Sequence, residues 1–365
     1  MISFALSTFL LTLAAGSPEA SSTEPVADPP PATAVLTLSD TLVEKLDQHV
    51  LERSSVPEER RKLLMSFMFG TPGLNFRYDD FVTRTVPETF EAGVGNCLSF
   101  TLLFIAAARY VGLEAHAREV RIPSEWSRLD NTVYRTGHVN VGLMVEGRRH
   151  IVDFEPDLFR AYRLSSPIIG HSVSDERMLA HFYNNRAAEL LGEKRLEEAF
   201  KFVERAIEMD PDFTSAWNTR GVLLARLGKS QSAEDAFLTV LENSPDDPEA
   251  LINLFNLYRT TGDREKTAEI QARLESVRLE DPYFQFELGG IYENEGDLAR
   301  AERHYRRAVR QKEDEHRFHF ALARLHFRTG NEAGAETALR RAVEFSRNDD
   351  RLSYKHKLQA LTMPR

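Results

Sequence analysis

Apolar residues recur at helical spacing from Leu42 onward. Leu42, Val43, Leu46, Val50 and Leu51 are separated by Glu, Lys and Asp, which predicts a helix. A second helix follows, with Leu63, Leu64, Phe67 and Met68 behind Ser55 and Glu58, a pair spaced as a capping box; Gly70-Thr71-Pro72-Gly73 stops it. Together they predict a helical lead-in over residues 37–73. Leu98, Leu102, Ile105, Ala106 and Tyr110 carry the same period after a tight turn at Gly93 and Gly95, and Gly112 ends that helix. The pattern then changes. Leu113 to Val120 reads as a strand, residues 121–137 as a polar loop containing Trp126, and residues 138–154 as a hairpin about a two-residue turn at Glu146 and Gly147.

From residue 180 to 349 the pattern repeats. Ala199, Ala233, Thr267, Ala301 and Ala335 lie 34 residues apart, as do Ala187, Gly221, Phe255, Gly289 and Ala323. Small residues at matching points let two helices of a hairpin approach closely, while Tyr183, Trp217, Phe237, Tyr258, Tyr292 and Tyr305 fill the space between hairpins. Gly192, Gly228, Gly262, Gly296 and Gly330 punctuate the turns. The period resembles the tetratricopeptide repeat, a 34-residue helix–turn–helix unit. Five units are expected, beginning near residues 180, 214, 248, 282 and 316, with a capping helix over 350–365. Such a solenoid implies a protein partner.

Residues 2–15, ISFALSTFLLTLAA, are apolar over the length of a signal-peptide core, with small residues after them and no basic residue before. They predict a signal peptide over 1–16 and hence a periplasmic or secreted protein, with a cytoplasmic one as the alternative. No apolar run is long enough for a transmembrane anchor. Residues 17–36, rich in Pro and Ser, read as a linker. A net charge of −10 argues against nucleic acid as a partner. The single cysteine excludes an internal disulfide, and no metal or cofactor is expected.

That cysteine, Cys97, falls at the first turn of its helix. There the unpaired N–H groups and the helix dipole favour thiolate and offer donors to an oxyanion. In the hairpin, a two-residue turn sets Val145 opposite Arg148 and therefore Asn140 opposite Asp153. His138 then shares the face of Asp153, one diagonal step away. A cysteine, a histidine and a carboxylate in this order suit acyl chemistry: imidazole takes the thiol proton and the carboxylate orients it. Asn140 is a candidate binding residue beside them. His116 and His150 are rivals for the base, His150 with the parity opposite to Asp153.

The segments Val86-Pro87-Glu88-Thr89-Phe90-Glu91-Ala92-Gly93-Val94-Gly95-Asn96-Cys97, Arg109 to Gly112, Gly137-His138-Val139-Asn140-Val141 and Ile151-Val152-Asp153 resemble the transglutaminase-like superfamily. The resemblance implies an α+β, papain-like core over residues 74–165, with Cys97 as nucleophile, His138 as base and then acid, and Asp153 as its orienter. It further implies a thiol-dependent amide hydrolase or acyltransferase acting on a peptide or protein. The alternative is a scaffold whose enzyme-like domain is inactive and whose repeats carry the function. The family's additional oxyanion donor upstream of the cysteine has no match in this chain.

Overall fold

The computed structural model describes residues 28–70, 73–74, 76–79, 82–129, 132–154, 169–276, 282–346 and 348–362, the side chains of residues 121–136, 169, 275–276 and 348–349 excepted. The expected signal peptide over 1–16 lies outside these residues, as do positions 17–27 of the expected linker.

The rest of that linker is not a spacer. Helix α1 (Ala32–Leu36) buries Val35 completely. The Pro30 carbonyl accepts a 2.7 Å hydrogen bond from the Tyr183 hydroxyl, and Asp28 pairs with Lys201 at 2.6 Å. Folded chain therefore begins before Ser39, because an apolar turn after the three prolines has a core to enter. Helix α2 (Asp40–Leu46) runs into a single π turn, Asp47–Leu51, and buries Leu42, Leu46 and Val50. Helix α3 (Pro57–Phe69) starts without the expected box. Its cap is Val56, Pro57 occupies the first turn, and Ser54 rather than Ser55 accepts from the Val56 N–H. The capping box that does form is Thr85 with Glu88, at the head of α4 (Val86–Ala92).

Helix α5 (Cys97–Tyr110) is apolar almost throughout, with Leu98 to Ile105 all buried. It packs on an antiparallel sheet of order β5-β4-β3-β6, in which β3 is Glu114–Leu129, β4 Thr132–Val145, β5 Arg148–Val152 and β6 Ile169–Ser172. The expected polar loop over 121–137 is thus mostly strand. Pairing of β3 with β4 continues to Leu129↔Thr132 and slips only between Val120 and Glu125, where Pro123 has no N–H to give. Strand β6, unforeseen in the sequence, extends the other side of β3 through Arg118↔Ser172.

The carboxy-terminal half is an array of helical hairpins. They are α6 (Asp175–Gly192) with α7 (Leu196–Met209), α8 (Thr214–Arg226) with α9 (Ser230–Asn243), α10 (Pro248–Thr261) with α11 (Arg264–Ser276), α12 (Pro282–Glu295) with α13 (Leu298–Gln311), and α14 (His316–Arg328) with α15 (Glu332–Phe345). Helix α16 (Asn348–Thr362) packs on α15. Close approach explains the small residues. A Cβ on Gly221 would sit 2.4 Å from the Phe237 ring, and one on Gly289 2.5 Å from the Tyr305 ring. Gly228, Gly262, Gly296 and Gly330 all take positive φ in the turns. Gly192 does not, because α6 continues through it and Lys194 takes the left-handed position instead. This first hairpin starts at Asp175, five residues ahead of the expected start.

The array also touches the sheet. The backbone of β4 runs within 8 Å of α10, and that of β3 within 8 Å of α12. Helix α10 is buried on every side from Pro248 to Tyr258, including Glu249, Asn253 and Asn256.

Candidate functional site

The approach to Cys97 is built from local constraints. Strand β1 (Arg77–Tyr78) pairs in parallel with β2 (Val94–Gly95), which fixes the turn ahead of the helix. Gly95 is required there, since a Cβ would lie 2.8 Å from the Ser99 Cβ. Asn96 caps α5: its Oδ1 accepts from the Ser99 N–H at 2.9 Å, and its carbonyl accepts from Phe100 at 3.1 Å. Cys97 and Leu98 are the first two residues of the helix, where N–H groups have no partner within the helix itself. Cys97 itself is partly buried.

Register then delivers the other two groups. Glu146 and Gly147 both take positive φ, and Val145 pairs with Arg148. His138 and Asp153 meet across β4 and β5, with His138 Nε2 2.9 Å from Oδ1 and 2.8 Å from Oδ2. Both are nearly excluded from solvent, at 6% and 8% side-chain exposure. Cys97 lies near enough to His138 to raise its proton affinity. Burial disfavours the imidazolium, but the hydrogen bonds to Asp153, aided by the nearby Cys97, outweigh it and push His138 up to about 10. The three sequence candidates are therefore in one place.

Asn140 joins them: its Nδ2 donates to Asp153 Oδ2 at 2.9 Å. It is fully buried and holds the Asp153 carboxylate in place. Behind it lies a residue that sequence reasoning missed. Arg118, only 5% exposed, donates through Nη1 to Asn140 Oδ1 at 3.3 Å and through Nη2 to the Gly170 carbonyl at 2.9 Å. Burial, followed by Arg149, lowers Arg118 from the usual guanidinium range, and Asp153 opposes them. Arg118 lies in the segment read as a strand, but its pairing with Asn140 depends on the register shift between Val120 and Glu125, which the sequence does not mark.

The rivals fall elsewhere. His116 pairs with Gly142, where a Cβ would meet its Nε2 at 2.4 Å, and burial lowers its proton affinity. His150 points toward α3, with Nε2 4.0 Å from Glu58. Beside the site, Phe154 stacks among Phe69, Phe100 and Phe104 at ring separations of 5.3, 5.5 and 5.9 Å. Phe100 and Phe104 lie on α5, one and two turns beyond Cys97.

Comparison with known proteins bears on the other half. Residues 190–254 match one tetratricopeptide repeat family, and residues 254–315 and 286–350 match a second. Residues 190–350 are tetratricopeptide repeats. The chain is 31% identical over 125 residues to the protein O-mannosyl-transferase TMTC3 of Mus musculus, and 31% identical over 121 residues to that of Homo sapiens. These stretches cover 33% and 32% of this chain, but it spans only 14% and 13% of the relatives' own length. Among solved structures it is similar to PilF of Pseudomonas aeruginosa, at 14% identity and a TM-score of 0.38, covering 52% of this chain and 94% of that one. It is also similar to a thermophilic tetratricopeptide repeat protein of Thermus thermophilus, at 20% identity and a TM-score of 0.37, covering 50% and 98%. No helix among the described residues is long and apolar enough to cross a membrane.

Proposed function

We propose that this protein is a repeat scaffold that binds a protein or peptide through the open end of its array. One observation carries the reading. A cavity of about 470 Å³ among α14, α15 and α16 is lined by Phe320, Phe327, Leu339 and Leu361, with Arg324 and Lys357 among its walls. Phe327 is 58% exposed, although it sits on a helix whose other apolar residues are mostly buried. An exposed aromatic with cations nearby suits a partner segment that brings apolar side chains and carboxylates. The test compares proteins crosslinked to the wild type and to Phe327→Glu, both checked for helicity. A partner lost from the variant supports the reading; identical sets overturn it.

The contact between His138 and Asp153, with Cys97 close by, favours a finer reading of the amino-terminal half. We propose that residues 74–165 are a transglutaminase-like domain that performs thiol-dependent amide hydrolysis or acyl transfer on a peptide or protein. His138, kept as imidazolium by Asp153, holds the proton that Cys97 has given up. The thiolate then adds to the amide carbonyl, and the resulting oxyanion faces the Cys97 and Leu98 N–H groups. Collapse breaks the C–N bond, with His138 returning its proton to the leaving amine. Water or a second amine then attacks the thioester and regenerates the thiol. Export to an envelope compartment belongs to this proposal and rests on the apolar stretch 2–15. Mass spectrometry of the wild type and Cys97→Ala after incubation with an electrophilic acyl probe tests it. An adduct on Cys97 that disappears in His138→Gln supports the chemistry. Labelling no faster than that of free cysteine leaves the scaffold reading alone.

A further inference from the structure

The helix that carries Cys97 is held at its start by the first helix of the repeat array. Glu189 on α6 accepts the Thr83 backbone N–H at 2.8 Å through Oε1, while its Oε2 pairs with Arg186. The Thr83 hydroxyl oxygen accepts from Asn96 Nδ2 at 2.8 Å and from Asn185 Nδ2, also on α6, at 3.4 Å. Asn96 Oδ1 in turn takes both the N–H and the hydroxyl of Ser99, at 2.9 and 3.0 Å, and Ser99 Oγ accepts from the Arg84 N–H at 2.9 Å. Thr83, Asn96 and Ser99 are 2%, 8% and 0% exposed. A polar network buried this deeply has few alternative arrangements, because any shift strands a donor or acceptor away from water. Asn96 is the residue immediately before Cys97, so its backbone angles aim the thiol.

We propose that Glu189 is a positioning residue for Cys97, acting through Thr83 and the helix-capping Asn96. This inference rests on the thiol reading of the site. It makes the repeat array part of that site's framework: whatever moves α6 moves the cap from which the cysteine helix starts. Arg109, near the other end of the same helix, makes a second tie to α6 through a two-pronged pair with Asp175 at 2.6 and 2.8 Å. Helix α5 is thus clamped to the array at both ends.

The test measures the rate of Cys97 alkylation by iodoacetamide from pH 5.5 to 9, alongside the urea midpoint. Four full-length proteins are compared: wild type, Glu189→Ala, Glu189→Gln and His138→Gln. Glu189→Ala is expected to lower the rate at pH 6.5 by about tenfold, as misplacement by a fraction of an ångström does. Glu189→Gln keeps an acceptor for Thr83 and should stay within about twofold of wild type. A drop in urea midpoint for Glu189→Ala with an unchanged alkylation profile would overturn the proposal, as that is what a merely structural residue gives. So would a Glu189→Gln rate as low as that of Glu189→Ala. Thr83→Val, which removes the hydroxyl and keeps the backbone N–H, provides a second route should Glu189→Ala not fold. It should slow alkylation as well, and a wild-type rate in that variant also overturns the proposal. A His138→Gln rate equal to wild type would instead refute the thiol reading on which the inference stands.

Discussion

The buried His138–Asp153 pair makes a quantitative demand on stability. In the unfolded chain the imidazole titrates near 6.5, and in the folded protein it is held up to about 10. The folded state therefore keeps its proton over a range where the unfolded state has released it. This contribution is fully present below pH 6.5 and is lost as pH rises through 10. For a single site with those two values, linkage gives roughly 4 kcal/mol of stabilisation at pH 7 and roughly 1 kcal/mol at pH 9. The difference, on the order of 2–3 kcal/mol, is large against a typical domain stability of about 5–15 kcal/mol. Urea denaturation at half-unit steps from pH 7 to 9 measures it. Asp153→Asn is the comparison, because it keeps the shape of the carboxylate and removes the charge that holds the proton. Its profile should fall clearly less steeply than that of the wild type over this interval. Parallel profiles would refute the argument, since they would mean that His138 is neutral in the folded protein at pH 7.

Two further substitutions probe packing and capping. Gly289→Ala drives a methyl group into the Tyr305 ring; allowing for the better helix propensity of alanine, it should cost about 1–2 kcal/mol, read as a lower urea midpoint at constant slope. Thr85→Ala removes one half of the capping box with Glu88 and should cost about 1 kcal/mol, whereas Ser55→Ala, whose side chain makes no cap, should leave the midpoint unchanged.

The repeats were legible because a 34-residue period writes the same packing problem several times over. Gly221 and Gly289 face the Phe237 and Tyr305 rings for one geometric reason, and that reason leaves a mark at each period. The hairpin was legible from its turn. Once Val145 faces Arg148, the strand period places His138, Asn140 and Asp153 on one face without further information. Arg118 was not legible. Its partner Asn140 is 22 residues away across a segment that looks polar, and a buried guanidinium bonded to an amide and a carbonyl leaves no opposite charge in the sequence to pair with. The packed stretch before Ser39 was hidden by its own composition. Three prolines and scattered serines usually mean an extended spacer, and only the core beneath Val35 shows otherwise. The Ser55–Glu58 pattern misled because Pro57 already supplies a helix start that needs no side-chain cap.

Strand β4 carries His138 in its middle and lies against α10, more than a hundred residues further along the chain. Severing the molecule ahead of Asp175 would break this contact together with the Arg109–Asp175 and Thr83–Glu189 ties. Each half is therefore expected to lose stability when the other is removed.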